Sequence, residues 1–182
     1  MALITPFDDF PIHQTAETLA VPSSSDRNHY DRYWFNGFSE EKDFLFEIGV
    51  GFYPNRHIMD AHFSISTAGK QYSYHASKRM NPARYPINIG PISLEILEPM
   101  QKIRFSLKDP EKKLSCDLIF NAITEPHLEP KSLMIEGTRK ILETSRFTQF
   151  GKWDGSIETE SGNLDLTKEY GTRDKSLSLI HI

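Results

Sequence analysis

Apolar and polar residues alternate with a period of two along most of this chain, which is the pattern of half-buried β-strands. Residues 44–52 carry apolar side chains at the even positions, and residues 57–67 carry them at the odd positions. These apolar positions are Phe44, Phe46, Ile48, Val50, Phe52, Met59, Ala61, Phe63 and Ile65. A shift of either strand by one residue would expose its entire apolar set to water. We therefore predict that all of these side chains are buried together.

The alternation continues through the rest of the chain, between closely spaced turn residues. Further strands are predicted over residues 72–78, 92–96, 103–107, 114–120, 140–150 and 152–160, with a hairpin turn at Ser161-Gly162-Asn163. No segment has a sustained helical period. Many short strands at this spacing are typical of barrels and sandwiches. The sequence thus predicts an all-β fold, with an antiparallel sheet that is strongly curved or closed into a barrel.

The chain before the first strong strand has a different character. Residues 1–28 are rich in proline and serine and are predicted to be an irregular lead-in, with one short helical turn near residues 15–19. A dense aromatic cluster follows, formed by Tyr30, Tyr33, Trp34, Phe35 and Phe38. We interpret it as a hydrophobic plug at one end of the barrel, and the alternative is a wall of an apolar ligand pocket. Either way, Trp34 or Phe35 should pack against the strand that begins at Phe44.

Composition narrows the class of protein. The 182 residues carry a net charge of −4, which argues against nucleic-acid binding, because phosphate contacts need a surplus of Lys and Arg. No apolar run is long enough to span a membrane, and the first residues lack the features of a signal peptide. The one cysteine, Cys116, cannot form an internal disulfide. These features favour a cytoplasmic protein.

The most suggestive polar positions lie on the second strand. Asp60, His62, Ser64 and Ser66 alternate with the apolar residues, so they share one face. A carboxylate beside an imidazole can orient a general base, although a solvated outer face gives the same pattern and is the somewhat favoured interpretation. His75 stands alone on the third strand and is more typical of a hydrogen-bonded structural residue. No metal-ligand spacing and no glycine-rich phosphate loop is present, so no metal and no cofactor is predicted.

Several short segments together resemble a known group of proteins. They are Tyr33-Trp34-Phe35-Asn36-Gly37, Tyr53-Pro54-Asn55-Arg56, Met59-Asp60-Ala61, His75-Ala76-Ser77-Lys78-Arg79, Ile89-Gly90-Pro91-Ile92, Leu97-Glu98-Pro99, Thr148-Gln149-Phe150-Gly151 with Trp153, and Gly171-Thr172-Arg173-Asp174. In order and spacing they resemble the bacterial lipocalin-like proteins of the AttH and hydroxyneurosporene synthase (carotenoid hydratase) type. Tocopherol cyclases and some fungal pericyclases are more distant members.

The resemblance implies two successive lipocalin- or calycin-like barrels that hold apolar polycyclic or isoprenoid ligands near the barrel mouths. Residues 29–170 would then form the first barrel, and residues 171–176 would begin the connection to a second barrel that this chain lacks. The chain departs from the hydratase branch at Lys175, where a histidine is common.

The resemblance also supplies candidate residues. Asp60 and Asp174 are the candidate acids, with His62 or Arg173 as orienting partners. The candidate ligand-binding residues are Tyr33, Trp34, Asn55, Arg56, His75 and Arg79.

Three functions remain open at this stage. The first is cofactor-free hydration, cyclisation or isomerisation of a hydrophobic isoprenoid- or lipid-like molecule, for which a buried carboxylic acid would protonate an alkene. The second is a non-catalytic carrier or sensor of such a molecule. The third is a structural or interaction module. The orientation of Asp60 and Asp174 separates them, because an enzyme should place both in one apolar cavity.

The last six residues have a separate interpretation. Residues 177–182 match one reading frame of the mosaic-end sequence used in transposon sequencing libraries, which predicts that they are translated library adapter. The alternative is the natural apolar tail of a strand. If a second barrel is missing, the strands near residues 140–160 should leave an unpaired sheet edge or an exposed apolar patch.

Overall fold

The computed structural model describes residues 4–11, 22, 24–80, 84–111 and 113–180. The helical turn predicted near residues 15–19 lies outside these residues. A short 3-10 helix, Pro6–Asp9, stands earlier in the lead-in and begins at a proline, whose fixed φ suits a first helical position. The Thr5 backbone N–H donates to the Asp8 carboxylate at 2.7 Å and caps this turn. A second 3-10 helix, Pro54–Arg56, links two strands.

The described residues form one sheet of twelve antiparallel strands, which confirms the predicted all-β fold. In chain order the strands are β1 (His29–Ser39), β2 (Phe44–Tyr53), β3 (Ile58–Thr67), β4 (Lys70–Arg79), β5 (Ile87–Ile89), β6 (Ile92–Glu98), β7 (Lys102–Lys108), β8 (Leu114–Ala122), β9 (His127–Leu128), β10 (Ser132–Glu136), β11 (Arg139–Thr159) and β12 (Gly162–Ile180).

The strand order makes the sheet a nearly closed barrel. It runs β4-β3-β2-β1-β12-β11-β8-β7-β6-β5, with β9 and β10 each paired to β11. Its two end strands, β4 and β5, contact each other without a described ladder between them. Two meanders, β1–β4 and β5–β8, are therefore joined through the long β11–β12 hairpin.

The predicted register of the first strands is confirmed. All of the apolar positions predicted from residues 44–52 and 57–67 are at most 5% exposed. On the same inner side, aromatic rings from separate strands meet edge to face: Trp153 lies 5.2 Å from Phe120 and 5.3 Å from Phe46, measured between ring centroids. Such contacts add to the free energy of burying large rings. The barrel interior is thus filled by packed side chains.

The aromatic cluster before β2 is not a plug, and that interpretation was wrong. It forms β1, a central strand that pairs with β2 on one side and with β12 on the other. Phe35 is fully buried opposite Ile48 of β2, which confirms that one ring of this cluster packs against the strand beginning at Phe44. Trp34 points outward and is half-buried. The alternation of a strand, with one side chain in and the next out, explains this division.

The two strands predicted near residues 140–160 are one strand, β11, of 21 residues with an irregularity between Trp153 and Gly155. Gly155 has a φ of 133°, which favours glycine and marks the bend. Residues 171–176 lie inside β12, paired with both β1 and β11. Residues 177–180 continue β12, and Leu179 pairs with His29 and Glu143. The adapter origin of residues 177–182 stays a prediction.

Strand β10 lies beside the first half of β11. It has no second strand partner among the described residues, and Leu133, Met134 and Ile135 are each more than half exposed. An edge and an apolar patch are therefore present at β10. The segment near residues 140–160, where they were predicted, is β11, which pairs with β12 on one side and with β8, β9 and β10 on the other. The missing second barrel stays a prediction. In the described part of the chain, no helix is long and apolar enough to cross a membrane.

Candidate functional site

Two of the predicted site residues lie inside the barrel. Arg173 is 1% exposed, with Nη1 2.5 Å from Asp9 Oδ1, and its Nε donates to Gln149 Oε1 at 2.8 Å. The Tyr33 hydroxyl is fully buried and donates to the Asp9 carbonyl at 2.5 Å. Both side chains therefore fasten the N-terminal segment to the inner face of the sheet. They are structural residues that do not reach the outer surface.

The same end of the interior holds charges that the sequence did not reveal. Lys175 Nζ lies 2.9 Å from Asp31 Oδ1 in a buried ion pair. Arg84 is 2% exposed, and its three guanidinium nitrogens have no hydrogen-bond partner among the described residues. Burial lowers the pKa of Arg84, and the negative charge of the Asp31 carboxylate opposes this effect. Lys175, however, already donates to both oxygens of that carboxylate. One cation is left without a close counter-ion.

The opposite side of the sheet, the outer face of strands β4, β3, β2, β1, β12 and β11, carries five other predicted site residues: Trp34, Asp60, His62, His75 and Asp174. The strand registers arrange them in two adjacent rows across these six strands. The first row is His75, His62, Gly49, Trp34, Asp174 and Thr148, and the second row is Ser77, Asp60, Gly51, Arg32, Ser176 and Arg146. The β-carbons of neighbours within a row are about 5 Å apart, except at the two glycines, which have none.

A groove of about 430 Å³ occupies the β1–β4 part of these rows. Its lining residues are Arg32, Val50, Tyr53, Asp60, Ala61, His62, His75, Ala76 and Ser77, together with Gly49 and Gly51. The side chains of Val50, Ala61 and Ala76 belong to the inner face, so the other residues supply the outward side chains. Asp60, His62 and His75 are thus brought together as neighbours from two strands. Tyr53 and Arg32 join them, and neither was predicted from the sequence as an outer-face site residue. The only available signal was the alternation along each strand, which puts Tyr53 on the same face as Gly51 and Arg32 on the same face as Trp34.

The two glycines make the groove deep enough to hold side chains. A β-carbon added at Gly49 would stand 2.3 Å from Cε1 of His62. One added at Gly51 would stand 2.6 Å from Oδ1 of Asp60 and 2.8 Å from the Tyr53 hydroxyl. The imidazole and carboxylate therefore fold down over bare backbone and become half-buried, although they lie on an outward face.

Burial changes the acid–base properties of these groups. Burial raises the pKa of the Asp60 carboxyl, and the hydrogen bond from Tyr53 offsets part of that rise. Burial also lowers the pKa of the His62 imidazole, against the opposing effect of Glu47, whose carboxylate lies 3.6 Å away. The rings of His62 and His75 stack with centroids 5.6 Å apart. The pKa values of a neighbouring acid and base are thus displaced toward each other.

Asp174 lies on the same outer face but does not line this groove. Its neighbour Arg173 points inward, because consecutive side chains of a strand take opposite faces, so Arg173 does not orient the Asp174 carboxylate. Burial raises the pKa of Asp174, and Arg32 acts in the opposite direction. Asp174 Oδ1 and Arg32 Nε are buried, and neither has a hydrogen-bond partner within the described ranges.

Two other predicted ligand-binding residues, Asn55 and Arg56, hold the chain that enters β1. The Asn55 amide donates to the carbonyl oxygens of Ser24 and Asp26, at 2.7 and 2.6 Å. Arg56 Nη2 lies 2.5 Å from Asn28 Oδ1. With Arg79, Arg56 borders a second, shallower groove of about 480 Å³. These residues do not join the Asp60 groove.

No cluster of three or more His, Cys, Asp or Glu residues in the described part of the chain is placed to hold a metal ion.

Two solved structures share this fold. An AttH-like protein from Nitrosomonas europaea superposes with a TM-score of 0.65 at 12% identity, over 95% of this chain and 59% of that one. Kievitone hydratase from Nectria haematococca superposes with a TM-score of 0.58 at 11% identity, over 85% of this chain and 48% of that one. The chain thus spans less than two thirds of either protein, and at these identities the likeness concerns the fold.

Sequence comparison gives a family. No curated protein matches the chain. A family model matches residues 4–181, which is almost the whole chain and includes every residue of both outer-face rows. The chain therefore belongs to the family of unknown function DUF8625.

Proposed function

We propose that this protein binds a hydrophobic isoprenoid- or lipid-like small molecule in the outer-face groove and transfers a proton to or from it without a cofactor. Hydration, cyclisation and isomerisation are the reactions of this kind. The observation that carries the proposal is the half-buried group of Asp60, His62 and Tyr53 over two glycines in a groove of about 430 Å³. The packing of the described core side chains inside the barrel supports a site on the outer face and not at the barrel mouth.

The acid–base arrangement suits such a reaction. Proton transfer is efficient when the pKa of the donor lies near that of the acceptor and near the working pH. Burial raises the pKa of Asp60 and lowers that of His62, so the pKa values of the acid and the base move toward each other. In this proposal Asp60 is the acid, His62 is its base, and the Tyr53 hydroxyl holds the carboxylate in place.

A non-catalytic carrier is the second candidate, and the exposure of His75 favours it. His75 stands at the rim of the groove with its side chain exposed, so part of the site is open to water. Water competes with a carbocation-type intermediate, whereas a carrier needs no dry site. We propose a cytoplasmic location for the protein in either case, as an enzyme or as a carrier.

Farnesol is a suitable probe, because it is an isoprenoid alcohol that can be bound, hydrated, cyclised or isomerised. Binding is measured by calorimetry, and products are followed by gas chromatography in D₂O, where proton transfer to carbon leaves deuterium. Asp60→Asn should keep farnesol binding within about threefold while abolishing deuterium incorporation, since the amide has similar shape and no acidic proton.

Ser66→Ala is the matched control, because Ser66 lies on the same face of β3 and outside the groove. Binding without deuterium incorporation in the wild type would leave the carrier as the function. Farnesol affinity that is unchanged when Ser77, an exposed groove residue opposite Asp60, is enlarged to Leu in a folded variant would overturn the assignment of the groove itself.

A further inference from the structure

The two outer-face rows extend beyond the Asp60 groove, across Trp34 to Asp174. Trp34 is the cross-strand partner of Gly49 on one side and of Asp174 on the other. Gly49 carries no side chain, and the His62 imidazole covers its backbone, so the His62 and Trp34 rings flank this position on the outer face. An aromatic ring that is half-buried on an outward face beside this imidazole is placed to receive an apolar surface.

Arg32 connects the two parts electrostatically. It lines the Asp60 groove, where it opposes the raised pKa of Tyr53, and it also opposes the raised pKa of Asp174. Its guanidinium therefore lies between two separate groups of acids. Its Nε and the Asp174 Oδ1 are both buried without a partner among the described residues. The Oγ atom of Ser176, the cross-strand partner of Arg32, is a third such atom. Unpaired buried polar atoms are costly, so three of them on one face point to a group that is absent.

We propose, resting on the function proposed above, that the ligand is a flat, elongated apolar molecule with a hydrogen-bond donor at each end. One end binds at Asp60 and the other at Asp174, while its body lies across the His62 imidazole and stacks on Trp34. Asp174 is in this view a binding residue that fixes the far end of the ligand. Proton transfer stays at Asp60.

The spacing of the strands gives the length of this ligand. Asp60 and Asp174 are three strands and one row apart, which corresponds to about 16 Å at strand spacings of about 4.8 Å. A rigid molecule with two oxygens about 12 Å apart spans this distance when each end makes a hydrogen bond of about 2.7 Å. The compound 4,4′-dihydroxystilbene has this shape, and 4-hydroxystilbene is the matched probe with a single hydroxyl group.

Calorimetric titration of both probes tests the proposal. The wild type should bind the dihydroxy compound about tenfold more tightly, which is the effect of one charge-assisted hydrogen bond. Asp174→Asn should remove this advantage and leave the affinity for 4-hydroxystilbene within about twofold. Trp34→Ala should weaken both probes about tenfold, while Trp34→Phe, which keeps an aromatic surface, should weaken them much less.

The outcomes separate the two proposals. Equal binding of the two probes, or a preference that survives Asp174→Asn in a variant at least as stable as the wild type, would overturn the two-ended ligand. The Asp60 groove would stand in that case if farnesol binding still responds to Ser77→Leu. Binding of farnesol without binding of either stilbene would likewise overturn the flat, elongated class and leave the groove in place. The groove would no longer be the proposed site if farnesol binding did not respond to the enlarged groove residue and the preference between the stilbenes did not respond to Asp174→Asn.

Discussion

The imidazole of His62 lies directly over Gly49, so close that a β-carbon at position 49 would stand 2.3 Å from its Cε1 atom. The obstacle is a movable side chain and not backbone. Gly49→Ala should therefore fold, and it should push the ring out of the groove into water. Because burial is the main cause that lowers the pKa of His62, the pKa should rise toward 6.5 in this variant.

An NMR titration of the His62 Cε1–H signal measures this change. Farnesol affinity should fall about tenfold at the same time, since the displaced ring leaves its place in the groove. Ser64→Ala is the control, because Ser64 lies on the same face and bonds only to Ser73 at 3.0 Å. A pKa of His62 that does not move in Gly49→Ala would contradict the burial of this ring over the glycine.

Asp174 should make the stability of the protein depend on pH. Burial raises its folded-state pKa above the ordinary 3.8, so the folded state holds this proton more tightly than the unfolded state does. The resulting stabilisation is fully present below pH 3.8 and is lost as the pH rises through the folded pKa. Asp174→Asn should therefore raise the melting temperature at pH 7 and have little effect at pH 3.5.

Each unit of that pKa shift corresponds to about 1.4 kcal/mol, or about 2–4 °C in a protein of this size. Thermal unfolding of both proteins at the two pH values gives the comparison. Glu111→Gln is a useful reference, because Glu111 is an exposed carboxylate in a surface ion pair with Lys113. A larger effect of Asp174→Asn at pH 3.5 than at pH 7 would refute the sign of the shift.

The two buried arginines should respond oppositely to replacement by methionine. Arg84 has no hydrogen-bond partner among the described residues, so Arg84→Met should stabilise the protein by about 1–3 kcal/mol. Arg173 is paired with Asp9 and Gln149, so Arg173→Met should leave that carboxylate buried alone and destabilise by about 3–5 kcal/mol. Urea unfolding at pH 7 measures both. Destabilisation by Arg84→Met would show that its charge is compensated in solution.

The exposed strand β10 should cause self-association. Its residues Leu133, Met134 and Ile135 are exposed next to an edge without a described strand partner, which is a known template for pairing between molecules. Ile135→Lys should lower the concentration-dependent light scattering at 37 °C several-fold. Leu45→Lys is the matched control, because Leu45 is equally exposed but lies on β2, which is paired on both sides. An equal effect of both variants would exclude edge pairing as the cause.

The sequence was sufficient for the register of β2 and β3, because exposing alternate large apolar side chains to water decides which face is inside. The same alternation correctly grouped Asp60 with His62. It did not show that His75 stacks on His62, since that depends on the register across the β3–β4 turn. Nor did it show that Arg173 and Asp174 take opposite faces, because residues 171–176 were expected to be a connection and only a strand imposes that alternation.

The lead-in was the least predictable part. Asp9 is fully buried and pairs with Arg173, yet no local pattern marks it, since its partners come from distant parts of the chain. The tertiary contacts of such a residue override its local preference for exposure. The same holds for Arg84, whose burial follows from the closure of the barrel.

The place of β12 between β1 and β11 has a consequence for the order of folding. The β1–β4 meander has only local pairings and can form early, whereas Phe35 must wait for Arg173 from the far end of the described chain. Asp60, His62 and Trp34 are therefore assembled before Asp174 arrives beside them. A ligand that contacts both the β1–β3 residues and Asp174 binds only the completed barrel. It should therefore slow unfolding, because it holds β1 and β12 together.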